Sequence, residues 1–284
     1  MNTIKTKLAH LSEMVMMQHS IFSLPFIFIA MLVAAKGWFG WKLLLLGALA
    51  AVSARNFAMG VNRYFDRDID ALNPRTQNRP SVDGRLSTTQ MMTFIVINAL
   101  IFIVVAFFVN DLALNLSIPI LIILGAYTFF KRFSSFAHII LGFSLGLAPI
   151  AGEVAVSGTI SEWTLYLSGG VIFWVAGFDL LYSLQDIDFD KEHGLHSIPS
   201  QFGAEKTMLI SKLFHLMTIV LWGFFIHHAG LGLYAEIAVV LSAIMLTYEH
   251  YLVSKDFTKI DRAFFTVNGY LGILFLFLII LEVM

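Results

Sequence analysis

Nine apolar stretches, each close to the length of a bilayer-crossing helix, leave this chain few possible folds. They lie near residues 20–36, 42–62, 89–109, 111–130, 136–157, 163–183, 206–228, 231–253 and 263–283. A hydrocarbon core about 30 Å thick is crossed by about 20 apolar residues in helical conformation. The runs are continuous rather than alternating with period two, which argues against a barrel. Charge density agrees: only 13% of residues are charged, whereas a water-facing domain carries about 25%. The expected fold is an all-α integral membrane protein of nine transmembrane helices, a single polytopic domain over residues 1–284 with the lipid bilayer as its solvent. A net charge of −1 gives no bulk attraction to nucleic acid. The absence of cysteine excludes disulfides and argues against a structural zinc site.

Lys5 and Lys7 precede the first apolar run, but no small-residue cleavage site follows them. Residues 1–18 read as an amphipathic lead-in helix with Leu8, Leu11, Val15 and Met16 on its apolar side. Lys and Arg set the orientation, because they accumulate on the cytoplasmic side of short loops. With the N-terminus cytoplasmic, that side holds Lys5, Lys7, Arg63, Arg67, Arg75, Arg79, Arg85, Lys131, Arg132, Lys191, Lys206, Lys212, Lys255, Lys259 and Arg262. The opposite side holds only Lys36 and Lys42, and Arg55 lies within a span. The expectation is a cytoplasmic N-terminus and an external C-terminus in a bacterial-type inner (plasma) membrane. The long, highly charged connections 63–88 and 184–205 are then cytoplasmic, and chemistry is expected there.

Both connections open on acids. Asn62, Asp66 and Asp70 are spaced i, i+4, i+8 at the end of the second span, so a helix places them on one face. Asp186 and Asp190 repeat the spacing at the end of the sixth span, with Tyr182 and Asp179 one and two turns earlier. Asp68 and Asp188 fall off these faces and are expected to be solvated. Like charges one turn apart repel, and an Asp at the bilayer centre costs about 2.5–3.5 kcal/mol. A hard divalent cation relieves both penalties. Mg²⁺ prefers oxygen ligands, keeps several waters and is commonly completed by substrate phosphates. Two oxygen-rich helix ends can therefore hold a diphosphate through metal ions. Four carboxylates and a diphosphate carry about −7, which two Mg²⁺ reduce to about −3. Arg63, Arg75, Arg79, Lys131 and Arg132 supply cations on the same side. Ordinary solvated loop acids would account for one such cluster, but two, each closing an apolar span on the same side, favour chemistry.

Asn62 to Asp70, with Arg75-Thr76 and Arg79-Pro80, resembles the N-x-x-x-D-x-x-x-D and R-T-x-x-R-P pattern of the UbiA-type intramembrane prenyltransferases. Tyr182, Asp186 and Asp190 resemble that family's Y-x-x-x-D-x-x-x-D motif. Tyr127, Lys131 and Arg132 resemble its Y-x-x-x-K-R. The resemblance runs over essentially the whole chain. It implies helices around a central cavity with the active site at the cytoplasmic side, Mg²⁺ as cofactor, and a polyprenyl diphosphate donor. It also implies catalytic roles for Asp66, Asp70, Asp186, Asp190 and Lys131. Asn62, Arg63, Arg75, Arg79, Tyr127, Arg132, Asp179 and Tyr182 are implied at the substrates, and Asn62 joins the four aspartates at the metal. Many members carry Asp directly after the Asn; here the residue is Arg63, so no role is carried over for that acid. The stretches NRYFDRDIDALNPRT and DFDKEHGLHSIPSQFG look closest to the MqnP-like branch of quinone-pathway members, associated with menaquinone made through futalosine and often labelled 4-hydroxybenzoate polyprenyltransferases.

The reaction so implied is transfer of the polyprenyl chain to an aromatic acid, 4-hydroxybenzoate or 1,4-dihydroxy-6-naphthoate, in ubiquinone or menaquinone biosynthesis. Mg²⁺ and the basic residues stabilise negative charge building on the departing diphosphate, so the allylic C–O bond ionises; apolar walls shield the cation, and the ring attacks it. Glu153 and Arg55 lie inside spans; Asp179 is the better active-site candidate because it shares the face of the second motif. His193 and His196 read as loop-fixing residues, Gly194 as a tight turn, and Pro199 as preceding the next helix. Gly142 and Gly146 fit close helix packing. Two alternatives remain at this level: a haem O synthase-like enzyme with a porphyrin acceptor, and a cation-coupled transporter. A transporter should carry its acids near the midplane among broken helices, whereas these lie at span ends among arginines. The residues leave the acceptor, the chain length, the deprotonating base and the oligomeric state open.

Overall fold

The computed structural model describes residues 2–15 and 24–284, and within that range all regular secondary structure is helical. The helices are α1 (Asn2–Met14), α2 (Leu24–Ala35), α3 (Trp41–Phe65), α4 (Arg67–Leu72), α5 (Thr88–Val109), α6 (Asp111–Ala126) and α7 (Ala137–Ser157). They continue with α8 (Glu162–Tyr182), α9 (Ile187–Glu192), α10 (Ile198–Ala229), α11 (Leu233–Lys255), α12 (Ile260–Arg262) and α13 (Asn268–Val283). Among the described residues, eight helical stretches are long and apolar enough to cross a membrane. α2 is the ninth apolar helix and has 12 residues. The part of the first expected span before Leu24 lies outside the described residues. So do the side chains of Leu8 and Met16, which the lead-in reading placed on an apolar face.

Helix boundaries follow local chemistry. Ser87 starts α5 with a capping box, accepting from the Gln90 N–H while the Gln90 side chain takes the Ser87 N–H. Asn110 ends α5 and caps α6, its side-chain oxygen accepting from the Ala113 N–H at 2.8 Å. Carboxylates serve as caps in two places, where free N–H groups and the helix dipole favour negative charge. Glu282 accepts from the N–H groups of Gly232, Tyr234 and Ala235 at the start of α11. Glu153, 2% exposed, accepts from the Ser161 N–H and the Thr164 hydroxyl at the start of α8. That gives Glu153 a structural role. α10 begins eight residues earlier than its apolar run, with Ser197 as cap and Pro199 inside its first turn. This corrects the reading of Pro199 as preceding the helix. Gly203, at φ 79°, kinks α10 where the apolar run starts.

The chain forms two compact units, residues 1–20 with 48–128, and residues 21–47 with 129–284. In the first, Met14 and Val15 are buried with Leu86 and Met91 against Leu11, Met59, Tyr64 and Phe94, which anchors the lead-in helix by its apolar side. In the second, Phe26, Trp174, Trp222 and Phe275 form an aromatic centre with ring centroids 5.0–6.2 Å apart. α8 is the most enclosed helix of this unit, touched by α7, α10 and α12.

A polar ladder crosses the second core. Trp174 Nε1 donates to Asn268 Oδ1 at 2.7 Å, and Asn268 Nδ2 donates to Glu249 Oε1 at 2.8 Å. Asn268, Trp174 and Glu249 are all 0% exposed. Such groups are tolerated in a dry interior only when paired. Asn268→Ala should therefore destabilise the protein by about 1–3 kcal/mol per group left unpaired. A lower Tm in detergent is the expected readout; an unchanged Tm would show that the ladder contributes nothing.

Candidate active site

The first acidic cluster grows out of the end of α3. The Asp66 N–H donates to the Asn62 carbonyl at 2.9 Å and the Asp70 N–H to the Asp66 carbonyl at 2.7 Å, so helical spacing persists across the joint between α3 and α4. Asp66 and Asp70 are consequently buried, at 1% and 5% exposure, and Asp68 is exposed. Asn62 Nδ2 donates to Asp66 Oδ2 at 2.6 Å, and Thr128 Oγ1 donates to the same oxygen at 3.1 Å.

Arg63 is buried, donating through Nη1 to Asn62 Oδ1 at 3.1 Å and through Nε to the Met14 carbonyl at 3.3 Å. Arg79 Nη1 straddles both oxygens of Asp70 at 2.8 Å, and Arg63 Nη1 stands 4.0 Å from Asp70 Oδ2. Thr76 Oγ1 donates to the Asp70 carbonyl at 2.8 Å. Within the 79–85 segment, Arg85 ties Asp83 to Glu13. Slight desolvation raises the Asp83 carboxyl, but bonds from the Arg85 N–H and guanidinium outweigh it and hold the group below the ordinary carboxylate range. The R-T-x-x-R-P segment is thus folded back so that its threonine and second arginine hold Asp70. Arg75 of the same segment is exposed, its N–H bonded to Asn73 Oδ1 at 2.9 Å. Tyr127 lies within electrostatic reach of Arg55 and Arg63.

The second cluster belongs to the other unit. α8 tightens into a 3-10 turn, Ser183–Asp186, before α9. Asp186 and Asp190 are half-buried and Asp188 is exposed, as the spacing required. Ser197 Oγ donates to Asp190 Oδ2 at 2.7 Å, and the Leu195 N–H donates to the Asp190 carbonyl at 2.9 Å. The His196 N–H donates to the Lys131 carbonyl at 2.9 Å. Gly194, at φ 65°, provides the left-handed turn that this return requires. His193 stacks on Phe189 at 4.2 Å, so both histidines fix the loop. Asp186, Lys131 and His138 lie within electrostatic reach of Asp190. Lys131 is half-buried and Arg132 exposed. Tyr182 packs on Phe264 at 4.3 Å between centroids, and Asp179 Oδ2 meets His138 Nδ1 at 2.7 Å.

Three contributors were not singled out by sequence: Thr128, Ser197 and His138. Ser197 had a local signal, since S-x-x-S before an apolar run is a cap pattern and the cap hydroxyl also reaches Asp190. Thr128 and His138 had none, because their partners lie 62 and 41 residues away.

Among the described residues, no three His, Asp or Glu side chains converge on one point as a protein-only metal cage. Paired carboxylates at each helix end, joined at the first by the Asn62 amide, instead suit a hard cation that retains water and takes phosphate oxygens. Arg79 and Arg63, fixed beside Asp70, add donors of the geometry that phosphate accepts.

Comparison with known proteins agrees with this chemistry. The family model of the UbiA prenyltransferase family matches residues 23–279. The 4-hydroxybenzoate octaprenyltransferase of Paracidovorax citrulli is 31% identical over 248 residues, covering 86% of this chain and 82% of the relative. That of Alkalilimnicola ehrlichii is 29% identical over 252 residues, covering 87% and 85%. Among solved structures, a UbiA homolog from Aeropyrum pernix K1 superposes with a TM-score of 0.85 at 32% identity, covering 93% of this chain and 97% of that one. A UbiA homolog from Archaeoglobus fulgidus, bound to GPP and Mg²⁺, shares the fold with a TM-score of 0.74 at 18% identity, covering 95% and 99%. The chain belongs to the UbiA prenyltransferase family.

Proposed function

We propose that this membrane prenyltransferase moves a polyprenyl chain from its diphosphate to 4-hydroxybenzoate or a closely related aromatic acid such as 1,4-dihydroxy-6-naphthoate, in quinone biosynthesis. The observation that carries the reading is the Asp70 cluster, a buried carboxylate forked by Arg79 at 2.8 Å with Arg63 beside it. Burying this much charge without a substrate to bind would be costly. The residues that would hold Mg²⁺ with the donor diphosphate are Asn62, Asp66, Asp70, Asp186 and Asp190. Mg²⁺ supplies positive charge that favours departure of the diphosphate. Arg63 and Arg79 bind and orient the phosphate oxygens.

The acceptor carboxylate needs its own cation. Lys131 is the candidate, because it is half-buried beside Asp190 whereas Arg132 is exposed. A cytoplasmic N-terminus in a bacterial-type inner membrane belongs to the same proposal, supported by the fifteen basic residues that this orientation puts on the cytoplasmic side against two opposite.

The test is direct. Purified protein incubated with Mg²⁺, a polyprenyl diphosphate and a panel of aromatic acids should yield a prenylated acid identifiable by mass spectrometry. Product with a porphyrin alone, or none with any acid, would overturn the reading.

A further inference from the structure

Prenylation of an aromatic ring ends with a proton to remove. His138 is the second residue of α7 and is 6% exposed. Its Nδ1 stands 2.7 Å from Asp179 Oδ2 on α8. With Nδ1 engaged by the carboxylate, Nε2 is the ring nitrogen that can take a proton from elsewhere. Nε2 is buried and has no hydrogen-bond partner. A buried polar atom in that condition calls for an explanation. A carboxylate–imidazole pair also fixes the ring's orientation and stabilises the imidazolium once it has taken a proton.

The placement agrees. His138 shares the electrostatic surroundings of Asp190 with Lys131 and Asp186, and its partner Asp179 lies one turn before Tyr182 on α8. The charged groups in reach of it are therefore Asp179 on α8 and Asp190 on α9. Asp179 is taken by His138 itself, and Asp190 accepts from Ser197.

We propose that His138, oriented by Asp179, is the base that removes the ring proton of the aromatic acceptor. The inference rests on the proposed function. The ring carbon forms its new C–C bond to the allylic cation and becomes tetrahedral. Its C–H bond then breaks, the electron pair restores the aromatic sextet, and the proton passes to His138 Nε2. The diphosphate leaves with the charge it gained on ionisation.

The test separates ring chemistry from ionisation. Wild type, His138→Gln and Asp179→Asn would be assayed for both prenylated acid and released diphosphate. The acceptor would be used with and without deuterium at the alkylated carbon. Loss of a general base typically costs about 10²–10⁴ in rate. Prenylated product should fall by that order in His138→Gln and less in Asp179→Asn. Diphosphate release should persist, with water trapping the cation as the prenyl alcohol. A primary deuterium isotope effect, absent in wild type, should appear in both variants. Added imidazole should restore part of the product rate in His138→Gln. Equal loss of product and diphosphate release, or normal product formation without an isotope effect, would overturn the proposal. If His138→Gln is not monodisperse in detergent, Asp179→Asn carries the same readouts. Wild type that prenylates no aromatic acid would instead sink the proposed function.

Discussion

Asp66→Asn and Asp190→Asn should each lower prenyl transfer by about 10²–10³, the usual loss when one electrostatic stabiliser of a transition state is removed. Asn has nearly the size of Asp and keeps an acceptor oxygen. In Asp66→Asn the bond from Thr128 Oγ1 can survive, and in Asp190→Asn the bond from Ser197 Oγ can survive. What disappears is the charge. Asp68→Asn and Asp188→Asn are the controls, because both side chains are exposed beside the clusters, and they should stay within a few-fold of wild type. Half-maximal activity in the ligand variants should need more Mg²⁺, and excess metal should recover part of the rate by mass action. Asp70→Asn should behave worse than either, because Arg79 loses the charge it straddles at 2.8 Å. Near-normal turnover in Asp66→Asn or Asp190→Asn, together with activity insensitive to chelator, would overturn the metal assignment.

The same aspartates show what the sequence made legible. Burial alternates with the i, i+4 spacing at both clusters: Asp66 and Asp70 in and Asp68 out, Asp186 and Asp190 partly in and Asp188 out. Helical periodicity is a local property, so spacing alone sorted ligand candidates from solvated neighbours. Span positions were legible for the same reason, since apolar length is local too. α2 is the exception, with 12 described residues. Transporter chemistry, open on the sequence alone, is set aside by membership of a prenyltransferase family.

What the sequence hid is tertiary. Asp179 was visible as an acid on the α8 face, but its partner His138 is 41 residues away on another helix. Arg75 and Arg79 carry equal weight in a motif, yet Arg79 turns in to Asp70 while Arg75 is exposed. Lys131 and Arg132 divide similarly, half-buried against exposed. A charge in a loop has no period to betray its direction. Glu153 illustrates the converse: an acid inside a span looks functional, and here it caps α8.

Gly142→Ala and Gly146→Ala, combined, should give a large loss of stability for the addition of two methyl groups. α7 and α8 approach so closely that a Cβ on Gly142 would sit 2.3 Å from the Ile172 carbonyl oxygen. One on Gly146 would sit 2.4 Å from Ile172 Cγ1 and 3.1 Å from the Ser168 carbonyl oxygen. The first obstacle is backbone, which no rotamer change clears, so the helices must separate. Separation stretches the 2.6 Å bond from Ser168 Oγ to the Gly146 carbonyl and forfeits packing that lipid does not replace. Each methyl should cost about 1–3 kcal/mol as overpacking. Both push against the same stretch of α8, so the pair should cost less than the sum of the singles. Gly223→Ala is the control: no atom lies within 4 Å of its added Cβ, and relief of glycine's backbone entropy should stabilise α10 by about 0.5–1 kcal/mol. Thermal unfolding in one detergent reads these four variants against wild type. A double variant as stable as Gly223→Ala would mean that α7 and α8 do not meet backbone to backbone. Because His138 and Asp179 lie on these same two helices, Gly142→Ala should also loosen the 2.7 Å pair and lower transfer before it lowers expression.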